Sequence, residues 1–166
     1  MKGGSGAAPL DAEHAAFVQG GVSVIVATRD AARLADAVRG CGCRVSRDRR
    51  RVTVLVDGAR SPALLDNIAA NGEIAVVFSQ PSTHRTIQLK GSDAELVRAL
   101  PADRRRIAEH RAAWVAELVA LGYARPFVEA LWGQWPVTLA AVVFTPTAAY
   151  QQTPGPAAGQ PLRGTP

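Results

Sequence analysis

Lysine is almost absent from this chain, which has only Lys2 and Lys90 among its 19 basic residues. The remaining basic residues are arginines, and they give the chain a formal net charge of +5. An arginine-rich and alanine-rich composition can reflect a GC-rich genome alone. It can also indicate an anionic partner, such as nucleic acid or a phosphorylated small molecule. The charge by itself therefore leaves the class of partner open.

Cysteine and long apolar runs are also scarce. Cys41 and Cys43 are the only cysteines; a disulfide between such close neighbours would be strained, and two thiols cannot complete a zinc tetrad. We predict no metal site, and this cysteine usage is typical of a reduced, cytoplasmic protein. No apolar run approaches the length of a membrane span or of a signal-peptide core, so we expect no membrane partner.

The length and composition indicate a globular domain. The chain has 166 residues, of which 48% are hydrophobic and 20% are charged, a composition that argues against wholesale disorder. Composition divides it into three parts. Residues 1–10 are predicted to be mobile, residues 11–150 to form the folded domain, and residues 151–166 to form a Pro/Gly-rich tail without regular structure of its own.

Six segments have the apolar, β-branched character of strands. In chain order they are GGVSVIVATRD, ADAVRGCGCRVS, RVTVLVDG, EIAVVFSQ, THRTIQLKGSDAEL and VTLAAVVFTPTAAY. Helices are predicted after Asp11, after Ser61, after Pro101 and in RPFVEALWGQW. Strands follow strands without regular alternation with helices, which predicts a small, mostly antiparallel barrel with helices packed outside it.

Two stretches have side chains suited to an anionic ligand. Arg60 and Ser61 stand at a helix entrance, where unpaired N–H groups favour phosphate. On the later strand, alternation places His84, Thr86, Gln88 and Lys90 on one face. An amide can contact the edge of a heterocyclic ring, and the ammonium supplies a point charge. Ordinary helix capping and an ordinary solvated strand face are the alternatives for these two stretches.

The segment ARSPALLDNIAANGEIAVVFSQPSTHRTIQLKG resembles the centre of the pyridoxamine 5'-phosphate oxidase-like family, the FMN-binding split barrels. The shared features are a Ser/Arg-containing turn into a helix, the pattern N-G-x-I-A-V-V-F, and a hairpin ending in R-T-x-Q-L-K-G. The match extends over about residues 17–93. It implies an α+β fold, a six-stranded, mostly antiparallel split β-barrel with flanking helices. It also implies a homodimer with two FMN sites at the subunit interface.

The resemblance also implies a set of cofactor-binding residues. Arg60 and Ser61 match the phosphate-binding turn, Gln88 and Lys90 match the strand that faces the flavin, and Arg39 and Thr86 are weaker matches. Pro62 stands where many relatives have a second basic residue. The C-terminal pattern that holds the vitamin substrate has no counterpart, so oxidation of vitamin B6 is not expected.

Three functions follow from these patterns. The first is an FMN-binding flavoprotein acting as an oxidoreductase on an unidentified small-molecule substrate or reductant, with no protein acid or base required. The second is a non-catalytic flavin- or haem-binding protein, in which His14, His84 or His110 could be a haem ligand; the alternative for His110 is an ordinary position on the helix surface among arginines. The third is nucleic-acid binding through DRRRIAEHR; since no aromatic stacking platform accompanies it, we expect no nucleic-acid partner.

Overall fold

The computed structural model of the chain describes residues 10–162. The N-terminal segment that is predicted to be mobile lies outside these residues, apart from Leu10. That side chain is buried, and its backbone N–H donates to the carbonyl of Arg49 at 2.9 Å. The last four residues of the predicted tail also lie outside the described part.

Nine strands and four α-helices occur within residues 10–162. The strands are β1 (Ser23–Arg29), β2 (Ala35–Arg39), β3 (Gly42–Val45), β4 (Val52–Asp57), β5 (Ile74–Ser79), β6 (Thr86–Gly91), β7 (Glu95–Val97), β8 (Leu139–Phe144) and β9 (Ala148–Gln151). The helices are α1 (Ala12–Val18), α2 (Pro62–Asn71), α3 (Pro101–Ala120) and α4 (Arg125–Trp132), and a single 3₁₀ turn covers Gly58–Arg60.

The strands form two antiparallel sheets around one apolar core. The first sheet has the order β2-β1-β5-β6-β9 and the second has the order β3-β4-β8-β7. Their facing sides supply the core, with Val26, Val54, Phe78, Leu89 and Phe144 among its fully buried side chains. The predicted α+β class and the antiparallel pairing are therefore confirmed. The pairing includes the predicted β5–β6 hairpin.

The predicted count of six strands is wrong, because three predicted strands each divide between the sheets. Gly40 donates its N–H to Val24 in the first sheet, and Cys41 donates to Leu55 in the second. A Cβ on Gly40 would lie 2.7 Å from Val24 Cγ1, so the crossing requires glycine. Pro146 separates β8 from β9 in the same way. The predicted segment THRTIQLKGSDAEL likewise divides into β6 and the very short β7.

The helix signals in the sequence are mostly confirmed. Asp11 caps α1 by accepting from the N–H of His14 at 2.7 Å. Pro62 begins α2, and Gly72 ends it with φ of 67°, a left-handed conformation that favours glycine. Ser61 occupies the N-cap position, but its hydroxyl makes no capping hydrogen bond to α2.

The two sheets differ in what covers their outer sides. Helix α3 packs on the second sheet, where Ile107 meets Leu55 and Ala141, so that every residue of β4 is buried. The outer side of the first sheet is open, and Ile25 of β1 is 39% exposed on it. We call this side the outer sheet face. Residues paired across neighbouring strands share a face, so the outer sheet face has two adjacent rows of side chains. The first row is Arg39, Ile25, Val77, Gln88 and Tyr150, and the second row is Ala37, Ala27, Ala75, Lys90 and Ala148.

The described part of the C-terminal tail folds back along β9. It consists of turns followed by an isolated bridge between Tyr150 and Pro161. The N–H of Leu162 then donates to the carbonyl of Ala149 at 2.9 Å. Within residues 10–162, no helix is long and apolar enough to cross a membrane.

Candidate functional site

A cleft of ≈310 Å³ brings together three of the six residues predicted to bind the cofactor. It lies where the end of β2, the entrance to α2 and the end of α4 meet. We call it the arginine cleft. Its lining residues are Val38, Arg39, Gly40, Cys41, Asp57, Arg60, Ser61, Trp132 and Gln134. The fold brings Arg39, Arg60 and Ser61 together in one cleft, although 21 positions separate the first two in sequence.

Arg39 enters the cleft without a carboxylate partner. Its guanidinium carbon lies 5.1 Å from the centroid of the Trp114 ring, and its Nη1 donates weakly to the carbonyl of Leu131 at 3.4 Å. Among residues 10–162, no carboxylate oxygen lies within 4.0 Å of this guanidinium. Ring contacts leave the charge of a cation uncompensated, so the cleft contains a cation that an anionic ligand could pair with.

Arg60 is already engaged by two neighbours. Its Nε lies 3.4 Å from Asp57 Oδ2, and its Nη2 donates to Gln134 Oε1 at 2.8 Å. Its side chain is nevertheless 55% exposed. A guanidinium has five N–H donors, so these contacts leave donors for a ligand. The competition from Asp57 and Gln134 was not anticipated from the sequence.

Asp57 is a site residue that sequence reasoning missed. It ends β4 and is 8% exposed. Its Oδ1 accepts from the N–H of Ala59 at 3.2 Å and lies 3.5 Å from the N–H of Thr138. Its Oδ2 is buried and has no hydrogen-bond partner among the described residues. The signal that could have revealed it is the pair Asp-Gly at the end of a strand, directly before the turn that contains Arg60.

Ser61 and Cys41 complete the polar lining. Ser61 is 4% exposed and adjoins the N-terminal turn of α2, where backbone N–H groups lack helical partners and carry partial positive charge. Burial, and secondarily the charge of Asp57, raises the pKa of the Cys41 thiol to about 11. Cys41 is therefore a neutral thiol at pH 7. It and the fully buried Cys43 are both free.

An aromatic cluster forms one wall of the cleft. Trp132, which lines the cleft, has its ring centroid 5.5 Å from that of Trp114 and 5.6 Å from that of His110. His110 is only 2% exposed, so its expected position on the helix surface is wrong. It shares a buried stripe of α3 with Asp103, Ile107 and Trp114 at helical spacing, and packing of that stripe outweighs the charged residues around it in sequence.

His110 makes the stability of the fold depend on pH. Burial lowers its pKa from 6.5 to about 4, against the opposing effect of its hydrogen bond with the Gly20 backbone. Below pH 6.5 the unfolded chain takes up a proton that the folded chain refuses until about pH 4. The free energy of unfolding should therefore fall between these values, by about 3 kcal/mol at most.

Denaturant unfolding at pH 7, 5 and 4 checks this expectation. His110→Phe keeps an aromatic ring in the cluster and cannot titrate, so its unfolding free energy should fall less over this range than that of the wild type. His84→Asn removes an exposed histidine and should retain the wild-type pH dependence. Identical pH dependence in the His110→Phe variant and the wild type would show that His110 does not contribute.

The other three predicted residues lie on the outer sheet face. Gln88 is in its first row, while Lys90 is exposed and lies 5.4 Å from the Tyr150 ring centroid. Lys90 also lines a small cavity of ≈220 Å³ beside Arg29. The Thr86 hydroxyl lies 2.7 Å from that of Ser79, a hydrogen bond inside the hairpin that makes Thr86 the weakest of the six.

The predicted face of this strand needs one correction. His84 lies in the turn before β6, with φ of 59°, so it does not align with Gln88 and Lys90. The strand begins at Thr86, because the N–H of His84 donates to the Gln80 carbonyl in the turn and Gln80 in turn donates to Arg85. None of His14, His84 and His110 lines the arginine cleft.

Within one copy of the chain the two groups do not surround a common cavity. Arg39 and Gln88 stand in the same row of the outer sheet face, three strands apart, which is about 14 Å at ordinary strand spacing. The arginine cleft suits an anionic group, and the outer sheet face beside it has apolar surface at Ile25 and Val77 next to the Gln88 amide. The residues of the cleft fit the phosphate of FMN, and those of the outer sheet face fit its ring. Within residues 10–162 no group of three His, Cys, Asp or Glu residues could hold a metal ion.

Comparison with known proteins places this geometry on a familiar fold. No protein-family model matches the sequence, and the curated proteins give no significant match. Among solved structures, HupZ from Group A Streptococcus is 18% identical, with 90% of this chain and 99% of that chain covered and a TM-score of 0.52. A putative pyridoxamine 5'-phosphate oxidase from Lactobacillus delbrueckii is 14% identical, with 86% and 93% covered and a TM-score of 0.52. The chain therefore has the fold of the pyridoxamine 5'-phosphate oxidase-like proteins, as the resemblance of its central segment predicts.

Proposed function

We propose that the protein is an FMN-binding flavoprotein that works as a homodimer and transfers electrons to or from a small-molecule substrate. The observation that carries this proposal is the convergence of Arg39, Arg60 and Ser61 on one cleft of this fold. Arginine forks and serine hydroxyls bind phosphate oxygens through short, charge-assisted hydrogen bonds. Arg39 in particular has no carboxylate to satisfy its charge within the described residues, so a phosphate would supply the missing partner.

The outer sheet face supports a second copy as the partner. It is uncovered, its second row is four alanines and Lys90, and Ile25 in its first row is 39% exposed. Small side chains allow close approach of another protein surface, and exposed apolar patches mark interaction sites. Since Gln88 and the arginine cleft are about 14 Å apart in one copy, a second copy on this face would place Gln88 and Lys90 near the cleft of its neighbour.

The redox chemistry would come from the flavin ring itself when it is bound. The protein's part is to hold the phosphate in the arginine cleft and to position the ring on the outer sheet face. Cys41 is protonated at neutral pH, which makes it a poor nucleophile in the cleft. The second candidate, a non-catalytic flavin-binding protein, is favoured instead by Pro62, which begins α2 and offers no side-chain donor to a phosphate. Reduction of the bound flavin by NADH or NADPH, with turnover on an electron acceptor, would separate the two candidates.

Titration of the protein with FMN and with riboflavin tests the binding proposal. Riboflavin has the same ring and ribityl chain but lacks the phosphate, so the arginine cleft should make FMN bind at least tenfold more tightly. Flavin fluorescence measures both dissociation constants. Equal affinity for the two flavins would contradict the assignment of the phosphate to the cleft. No binding of either would contradict the function.

Gln88 should affect the redox behaviour of the flavin more than its retention. Gln88→Leu removes one neutral hydrogen bond to the ring, worth about 1 kcal/mol, and a bond that differs fully between oxidised and reduced flavin shifts a two-electron potential by about 20 mV. Spectroelectrochemistry of the FMN-loaded protein measures the midpoint potential, and Gln160→Leu, in an exposed turn, is the control. An unchanged potential in Gln88→Leu would count against contact with the ring.

A further inference from the structure

The unpartnered oxygen of Asp57 gives the arginine cleft a second requirement besides an anion. Asp57 is 8% exposed, and its Oδ1 is held by the Ala59 N–H. Its Oδ2 is buried and accepts no hydrogen bond among the described residues; its nearest cation is Arg60 Nε at 3.4 Å. A buried carboxylate oxygen without a donor is costly, and in a ligand cleft it is a place for a donor that the ligand brings.

The charges of the cleft set what this donor can be. Arg39 and Arg60 contribute two positive charges and Asp57 one negative charge, so a net positive charge remains for an anion. A bare phosphate would meet both arginines but would be repelled by Asp57. A phosphate ester whose next carbons carry a hydroxyl would meet the arginines and donate its O–H to Asp57.

We propose that the arginine cleft selects phosphate monoesters of polyols or sugars, with Asp57 Oδ2 accepting a hydrogen bond from a hydroxyl close to the phosphate. FMN has such a hydroxyl on its ribityl chain, and the inference rests on the proposed function in taking this cleft as the phosphate site. Asp57 is then the residue that distinguishes a hydroxyl-bearing phosphate ester from a plain one.

Opening the cleft for such a ligand requires one exposed side chain, that of Arg60, to leave its contacts with Gln134 and Asp57. Arg60 is 55% exposed and Gln134 is exposed, so their 2.8 Å hydrogen bond faces water. The backbone next to Gln134 is uncrowded, since a Cβ added at Gly133, which has φ of +83°, would meet nothing within 4 Å. Rotation of Arg60 toward a phosphate removes it from Asp57 and uncovers Oδ2 for the ligand hydroxyl.

Two small phosphate esters test the proposal on the full chain. Glycerol 3-phosphate has a hydroxyl on the carbon next to the ester carbon, and ethyl phosphate lacks it. Their dissociation constants are measured by titrating ¹⁵N-labelled protein and following the amides of Cys41 and Ala59. We expect the wild type to bind glycerol 3-phosphate about tenfold more tightly, the effect of one charge-assisted hydrogen bond.

Variants of Asp57 assign the preference to this residue. Asp57→Asn keeps the Oδ1 acceptor for Ala59, and Asp57→Ala removes the carboxylate altogether. Both substitutions should weaken the binding of glycerol 3-phosphate. The affinity for ethyl phosphate should be unchanged or higher, because a negative charge is removed from the cleft. Asp66→Asn removes the same charge from an exposed position of α2 and should retain the preference.

Each outcome decides the matter. Equal wild-type affinities for the two esters, or a preference that persists in Asp57→Ala, would overturn the role of Asp57. If the Asp57 variants bind both esters more tightly, Asp57 is only the counter-ion of Arg60 and the proposal fails. A wild type that prefers glycerol 3-phosphate but does not bind FMN would uphold this inference and overturn the flavin function. A wild type that binds FMN but does not prefer glycerol 3-phosphate would overturn this inference and uphold the flavin function.

Discussion

Arg60→Ala should raise the dissociation constant for FMN by about one hundredfold and Arg39→Ala by at least tenfold, since a hydrogen bond to a charged group contributes about 1.5–3 kcal/mol. The larger effect is expected at Arg60, because its removal also leaves the Asp57 carboxylate facing the phosphate without its cation. Binding of riboflavin, which carries no phosphate, should change little in either variant. Lys90→Ala should weaken FMN binding less than either arginine substitution, since Lys90 is exposed on the outer sheet face.

Arg47→Ala is the matched control for these substitutions. Arg47 is exposed in the turn between β3 and β4, so its removal lowers the net charge equally without touching the cleft. A loss of FMN affinity in Arg47→Ala equal to that in Arg60→Ala would mean that overall charge, rather than the cleft, attracts the phosphate. Circular dichroism checks that each variant is folded, as expected for side chains at the surface of the cleft.

Ile25→Glu should convert a homodimer into monomers and abolish retention of FMN. Ile25 is 39% exposed in one copy, so a glutamate there meets water and the fold tolerates it. In a dimer formed through the outer sheet face, two-fold symmetry buries the charge twice, and each unpaired buried carboxylate costs several kcal/mol. Dimer affinity should therefore fall by more than a hundredfold. Light scattering after size-exclusion chromatography measures the mass.

Val137→Glu is the control for this prediction. Val137 is 71% exposed and precedes β8, which belongs to the other sheet, so the same change of an apolar residue to a carboxylate should leave both mass and flavin unchanged. If the Ile25→Glu protein remains dimeric, the dimer interface lies elsewhere on the surface. A wild-type monomer that retains FMN would contradict the need for a second copy.

The sequence predicted the parts of the fold whose signals are local. The hairpin of β5 and β6, the start of α2 at Pro62 and its end at Gly72 depend on turn and capping residues a few positions apart. The division of strands at Gly40 and Pro146 could not be predicted in this way. Each division depends on which sheet supplies the next hydrogen-bond partner, and that is decided by residues far along the chain.

In the candidate site, too, only the features with local sequence signals could be predicted. Arg60 and Ser61 were recognised because they are adjacent at a helix entrance. Asp57 was missed because its burial and its contact with Thr138 arise from the packing of segments that are far apart in the chain. Trp132 and His110 likewise acquire their positions from the packing of α4 on α3, where a charged sequence surrounds a buried stripe. The charged residues around His110 favoured a position on the helix surface, whereas helical spacing alone could have placed it in that buried stripe.

The most direct test of the flavin site is an absorption spectrum of the purified protein, recorded after addition of FMN and removal of free flavin. The account predicts retained flavin absorption corresponding to about one FMN per chain, with most of it lost in an Arg39→Ala/Arg60→Ala double variant, where two charge-assisted contacts are removed. A wild-type protein that retains no flavin, or a double variant that retains as much as the wild type, would contradict it.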